Sequence, residues 1–312
     1  MKYSGIGGQA VMEGVMMRGG DEYAVAVRLE NGEIEVEKKK YKGIGKNDVT
    51  SRIPLVRGVI SFIDSLYLGL SSLMFSASFF EDEDPKREKS STEKRKENAI
   101  MGATLIISLV IAIGIFMIAP FYISQIFQKY IASDRVISFI EAVLRLVIFF
   151  GYMLLISRMK DIQRTFMYHG AEHKCINCIE SGLELNVENV RKSTRFHKRC
   201  GTNFLLIVMI VTVIFFLLIQ VDSQAMKLLY RIVLIPVVAG VSYEFIRLAG
   251  RYDNWFVNLI NKPGLALQKL TTREPDDDQI EVGIASVNAV FDWKEFLKNY
   301  NEAGNETCCD IK

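Results

Sequence analysis

Apolar residues in this chain gather in long blocks, separated by polar stretches, and the blocks set its class. Ala99–Ile123 and Phe204–Val221 carry no charged side chain, Val136–Ser157 carries only Glu141 and Arg145, and Leu228–Ala249 carries Arg231, Glu244 and Arg247. Each block is long enough to cross the roughly 30 Å hydrocarbon core as a helix. Four transmembrane helices are expected. Val59–Phe80 is almost as apolar, but it holds Asp64 and six serines, which suits an interfacial or re-entrant helix better than a fifth span.

Between and outside the blocks the pattern shortens. Tyr23–Glu37 reads as two strand-like runs joined by Asn31-Gly32, a strong hairpin signal. Residues 1–20 hold six glycines, and Gly5-x-Gly7-x-x-Ala10 loosely fits a dinucleotide fingerprint. That motif needs a preceding strand, so a tight glycine-permitted backbone packed on the membrane domain or the site is the better reading. Glu81–Glu97 is dense in mixed charge and reads as a solvated linker. Trp255, Phe256, Leu259 and Ile260 form an amphipathic stretch interrupted by Pro263-Gly264, and the aspartates at 276–278 can cap a helix bearing Ile280, Ile284, Val287 and Phe291 on one face. The expected architecture is a mainly α polytopic membrane protein. A glycine-rich motif and β-hairpin fill 1–52, the interfacial helix 53–80 and the charged linker 81–98. The four-helix membrane domain with its polar loop 158–203 fills 99–249, and an amphipathic region 250–312.

Composition agrees with a membrane chain: half of the 312 residues are hydrophobic, and the net charge is only +2. The basic residues are balanced by 36 acidic ones with no stacking platform in sight, which disfavours nucleic-acid binding. Lys and Arg cluster in 1–57, 86–96, 158–199 and 247–273. The positive-inside rule then places both termini and the loop 158–203 in the cytoplasm of a plasma-membrane protein. The start lacks the apolar run and cleavage site of a signal peptide, so no removal is expected. Cys175, Cys178, Cys200, Cys308 and Cys309 all fall on that reducing side, and a disulfide framework is not expected. The terminal Cys309-Asp-Ile-Lys312 lacks the aliphatic middle of a prenylation box and reads as a plain tail.

All three histidines, His169, His173 and His197, lie in that one polar loop. His169-Gly-Ala-Glu172-His173 has the H-x-x-E-H order in which a helix offers two imidazoles to a metal beside a candidate base. On a helix over 161–181, Ile162, Phe166, His169, His173, Ile176 and Glu180 share a narrow stripe with Glu172 to its side, whereas Cys175 and Cys178 face away. Those two cysteines read as buried thiols. A second helix is expected from Asn186 to Arg199, ended by Gly201, which lets His197 or Cys200 return as third ligand and leaves one position open. The implied cofactor is a divalent metal, zinc first, with Glu172 as general base.

The runs Gly7-Gly-Gln-Ala-Val-Met-Glu-Gly-Val-Met-Met-Arg18, Tyr168-His-Gly-Ala-Glu-His-Lys174, Phe196-His-Lys-Arg-Cys-Gly-Thr202 and Leu270-Thr-Thr-Arg-Glu-Pro-Asp-Asp277 together resemble the bacterial YqhQ-like family. These are membrane proteins of unknown function, some described as metal-dependent enzymes from their motifs. The resemblance implies a four-helix membrane domain with cytoplasmic motifs. It adds Glu13 and Arg18 as residues near a substrate, beside His169, Glu172, His173, His197 and Cys200. Two readings follow. One is a metal-dependent hydrolase acting on a membrane lipid headgroup or membrane-adjacent peptide. The other is a non-enzymatic scaffold, assembly factor or small-solute or ion carrier with a structural metal site, as a monomer or homo-oligomer.

Overall fold

A computed structural model of the chain describes residues 3–41, 43, 53–80, 90–218, 221, 223–249 and 255–300. Residues 44–52 of the first expected unit, most of the charged linker (81–89), and Cys308 and Cys309 in the tail lie outside the described residues.

The amino-terminal region folds as a four-stranded antiparallel sheet in the order β1 (Ile6–Val11), β2 (Gly14–Gly19), β3 (Glu22–Arg28), β4 (Ile34–Lys40). The Asn31-Gly32 hairpin is β3–β4, with Gly32 at φ 87°. The glycine-rich stretch is a second hairpin, β1–β2, where only tight backbone had been expected. Its turn places Glu13 at φ 48°, an unfavourable angle for a residue with a Cβ. That cost is met by tertiary anchoring, because the Glu13 carboxylate accepts from Nε and Nη2 along one edge of the Arg164 guanidinium and from the Tyr168 hydroxyl.

Strand alternation buries both faces of this sheet. Val15, Met17 and Ala26 pack with Tyr168, Ile176 and Ile179 of α5 (Lys160–Glu180) and Ile280 and Val287 of α11 (Asp277–Val290). Val11, Met16, Val25 and Val27 face Leu68, Phe75 and Phe79 of the segment containing α1 (Val56–Ala77). The α1 helix makes polar contacts along the same surface. Asp64 receives Arg18 and the Tyr41 hydroxyl, Ser76 Oγ accepts the Met12 N–H, and Gln9 donates to the Gly69 carbonyl. The Asp64 and serine positions that set this helix apart in the sequence are therefore its docking points on the sheet.

Among the described residues, four helices are long and apolar enough to cross a membrane: Val56–Phe80, Asn98–Lys129, Asp134–Ile156 and Gly201–Leu218. The second begins as α2 (Ser91–Ile113), with a Ser90–Glu93 capping box, so the end of the charged linker is already helical. It loosens into a π-turn at Gly114–Ile118 just before Pro120, whose missing N–H disturbs the ladder, and continues as α3 (Ala119–Ile126). The next two are α4 (Asp134–Ile156) and α7 (Gly201–Leu218). The block 228–249, expected as one transmembrane helix, is α8 (Gln224–Val233) and α9 (Ile235–Ala249), a pair bent by 43° that is apolar and long enough to count together as a fifth, broken span or a re-entrant loop. Pro236 explains the break, since proline lacks an N–H and disfavours helical geometry in the residue before it. Conversely, α10 (Trp255–Thr271) runs through Pro263-Gly264 without interruption, and Gly264 lets the helix approach the Asn203 side chain.

Glu141 and Arg145, one turn apart within α4, pair at 3.2 Å, and Arg231 of α8 lies 2.6 Å from the other carboxylate oxygen. Phe216 and Phe121 cover the guanidiniums. One buried carboxylate thus serves two buried cations. Replacing Glu141 by Ala leaves both uncompensated, and a loss of about 3–5 kcal/mol is expected, read as a lowered thermal midpoint in neutral detergent.

Candidate metal centre

Helix α5 is buried almost all round from Tyr168 to Glu180, enclosed by β1, α11 and α6 (Val187–Lys192). Its polar side chains must therefore find partners inside the protein. Asn177 donates to the Thr194 and Phe196 carbonyls, Lys174 to the Arg191 carbonyl and Glu274, and His173 Nδ1 lies 2.6 Å from the Arg195 carbonyl. These bonds hold residues 193–200 as an irregular strap. The helix expected to run from Asn186 to Arg199 accordingly stops at Lys192, capped by Asn186 as anticipated, and Gly201 opens α7.

His169 Nδ1 is likewise 2.9 Å from the Thr271 carbonyl at the end of α10. A carbonyl only accepts, so in both rings Nδ1 carries a proton, and Nε2 is the nitrogen left to serve as a metal ligand. The strap delivers Cys200 Sγ to 3.2 Å from His169 Nε2. Ligand atoms of His169, His173 and Cys200 all lie within 4.8 Å of one another, so this group could hold a metal ion. The donor set fits zinc, two imidazole nitrogens and a sulfur, with each imidazole oriented by a carbonyl on its far nitrogen. Thr202 N–H donates to the sulfur at 3.4 Å.

His197 reaches the same cavity, but its backbone is clamped to Gln268 at 2.9 and 2.8 Å and its Nε2 lies 3.8 Å from Glu180. Burial lowers the His197 pKa, against the nearby Glu180 carboxylate, which raises it. Burial raises the Glu180 pKa as well, but hydrogen bonds from His197 and Ser4 and the charge of Arg199 outweigh it and hold the carboxyl at about 2. Glu180, two turns from His173 along α5, thus orients the strap.

Glu172 is 5% exposed, with one carboxylate oxygen 3.8 Å from His169 Nε2, beneath β1. Burial pushes its pKa up to about 7 against His169 and the Gly8 N–H, which both lower it. A cavity of about 120 Å³ exposes His169, Glu172, His173, His197 and Cys200 behind Gly7 and Gly8. Glu13 is not among its walls, being held by Arg164 and Tyr168. Arg18 pairs with Asp64 at 3.0 Å and lines a neighbouring cavity of about 510 Å³. Cys175 and Cys178 lie in the core between α5, α6 and α11, and burial raises both thiols, Cys178 to about 11. Arg199 and the carbonyls of Thr271 and Arg195 went unnoticed in the sequence. Backbone acceptors leave no residue signature, although Arg199 and Thr271 sit in the polar motifs already singled out and Arg195 just precedes one.

Residues 53–293 match the family described as "Protein of unknown function (DUF1385)". The chain belongs to this family. It is also similar to the "Uncharacterized protein YqhQ" of Bacillus subtilis (strain 168), 35% identical over 289 residues that cover 90% of this chain and 91% of that protein. No solved structure matches.

The glycines of β1 differ sharply. A Cβ at Gly8 would meet the Met16 carbonyl oxygen at 2.6 Å and Glu172 Cγ at 2.9 Å, whereas one at Gly7 meets nothing within 4 Å. Gly8→Ala is expected to cost about 1–3 kcal/mol by overpacking, and Gly7→Ala to stay within about 0.5 kcal/mol of the parent, both read by thermal unfolding.

Proposed function

We propose that this protein is a plasma-membrane metalloprotein in which His169, His173 and Cys200 hold a divalent ion, zinc first, at the cytoplasmic face, and Glu172 is the general base of a hydrolase. The substrate is a lipid headgroup or a membrane-adjacent peptide. The observation that carries this reading is the pair of imidazoles pinned at Nδ1 by carbonyls, with Nε2 of each turned toward Cys200 and a buried carboxylate beside them. When bound, such an ion supplies Lewis acidity. Glu172 is placed to accept a proton from a water in the cavity and return it to a leaving group. Three protein ligands leave a position open, which a purely structural zinc site does not.

Packing supports the placement. The sheet, α5 and α11 form one unit, so the chain must cross a bilayer an even number of times between residues 41 and 160, and again between 180 and 277. α1 docks on the sheet and stays on that side, α2–α3 and α4 make the first pair of crossings, and α7 returns through the bent α8–α9. Both end regions then share the side of the histidines, and the distribution of Lys and Arg makes it the cytoplasm. Tyr130, 84% exposed between α3 and α4, should react from outside intact cells with a membrane-impermeant thiol reagent when replaced by Cys, whereas Leu183→Cys should not. Equal labelling of both would overturn this topology.

For the metal, the purified chain should carry about one ion per protein, and His173→Ala or Cys200→Ser should lower the content at least tenfold. Unchanged content in both variants removes the proposal. Glu172→Gln should keep the ion and lose hydrolysis of a bilayer-lipid panel by about 10²-fold or more. A Glu172→Gln protein that turns over those lipids at the parent rate leaves a metal site without this base.

A further inference from the structure

Three cavities share walls. The 120 Å³ pocket at the histidines has Gly7, Gly8 and Arg199 in common with the 510 Å³ cavity, and that cavity has Gln9 and Ser65 in common with a groove of about 260 Å³ between α1 and α2. Their characters differ. The middle cavity is lined by Arg18 and Arg199, whose guanidiniums are each held by one carboxylate, Asp64 and Glu180, and so are oriented before any ligand arrives. A guanidinium carries five N–H donors, so pairing with one carboxylate leaves others for a second anion. The outer groove is apolar, lined by Leu66, Leu70 and Leu73 on one helix and Leu105 on another, both long and apolar enough to cross a membrane.

We propose that these cavities form one binding site for an anionic amphiphile, with a phosphate headgroup between Arg18 and Arg199, the bond to be cut reaching the histidine pocket past Gly7, and the hydrocarbon chain in the α1–α2 groove. This rests on the hydrolase reading for the cut and names its substrate class, but the binding site stands on the cavities alone. A soluble phosphate has no use for the groove. An extended peptide is disfavoured because two N–H groups that β1 would offer a new strand are already donated, Ile6 to Ser4 Oγ and Gly8 to Glu172.

The test is competition binding on the purified full chain in neutral detergent, with radiolabelled oleoyl lysophosphatidic acid as probe. Unlabelled probe should displace it. Monoolein, with the chain but no phosphate, and glycerol phosphate, with the phosphate but no chain, should each need at least 30-fold higher concentration. Gly7→Val builds a side chain into open space at the junction of the two inner cavities, and Ser108→Trp fills the groove from α2. Each should weaken binding at least tenfold with the thermal unfolding midpoint of the parent retained, which serves as the check on folding. Glycerol phosphate competing as well as the probe overturns the amphiphile, and monoolein competing as well overturns the anion site. Parent-like binding by both variants overturns the location. A chain that binds the probe as expected but holds no metal would sink the metal reading and leave this one intact.

Discussion

The structure depends on one constraint, that a helix buried on every side must satisfy its polar side chains from within the protein. From Tyr168 to Glu180, α5 carries His, Glu, Lys and Asn side chains into an interior where each unpartnered group would cost about 1–3 kcal/mol. The partners are backbone carbonyls of Arg191 in α6, of the strap and of the end of α10, reached by Lys174, His173, Asn177 and His169. Satisfying them has two consequences at once. The strap is held in an irregular path that ends at Cys200, and each imidazole is fixed in the tautomer that leaves Nε2 available. Burial of the helix and presentation of metal donors are the same set of hydrogen bonds.

The sheet extends that constraint to the membrane helices. With both faces buried, it is a middle layer, joining α5 and α11 on one side to α1 on the other. Gly8 permits the close approach of β1 to Glu172, and Ser4 reaches Glu180, so the amino-terminal segment forms the lid of the histidine cavity. A membrane-competent helix and the histidine-bearing helix are thereby tied through two strands, with adjoining cavities between them.

Much of this was legible in the residues. The H-x-x-E-H stripe, the rejection of Cys175 and Cys178, the Asn31-Gly32 hairpin, the Asn186 cap and the Asp276 capping box are local, set by periods of 3.6 or 2 and by side chains that bond their own backbone. What escaped was of two kinds. Glycine-rich strands lack the β-branched pattern by which strands are recognised, so β1 and β2 looked like loose backbone. The break at Leu234 and the continuity of α10 through Pro263 turned on whether each proline stood near a helix start or within a packed helix, which its letter does not say.

The sequence by itself determined the membrane class, the family and the histidine helix with its facing, because hydropathy, motif spacing and helical phase are properties of neighbouring residues. Only the tertiary structure decided between His197 and Cys200 beside the two imidazoles, paired Glu13 with Arg164, and moved Arg18 to the next cavity. It also showed α1 as a helix docked on the sheet. Those outcomes depend on contacts between segments 31 to 176 residues apart, and no local pattern encodes which distant carbonyl or carboxylate a buried polar group will reach.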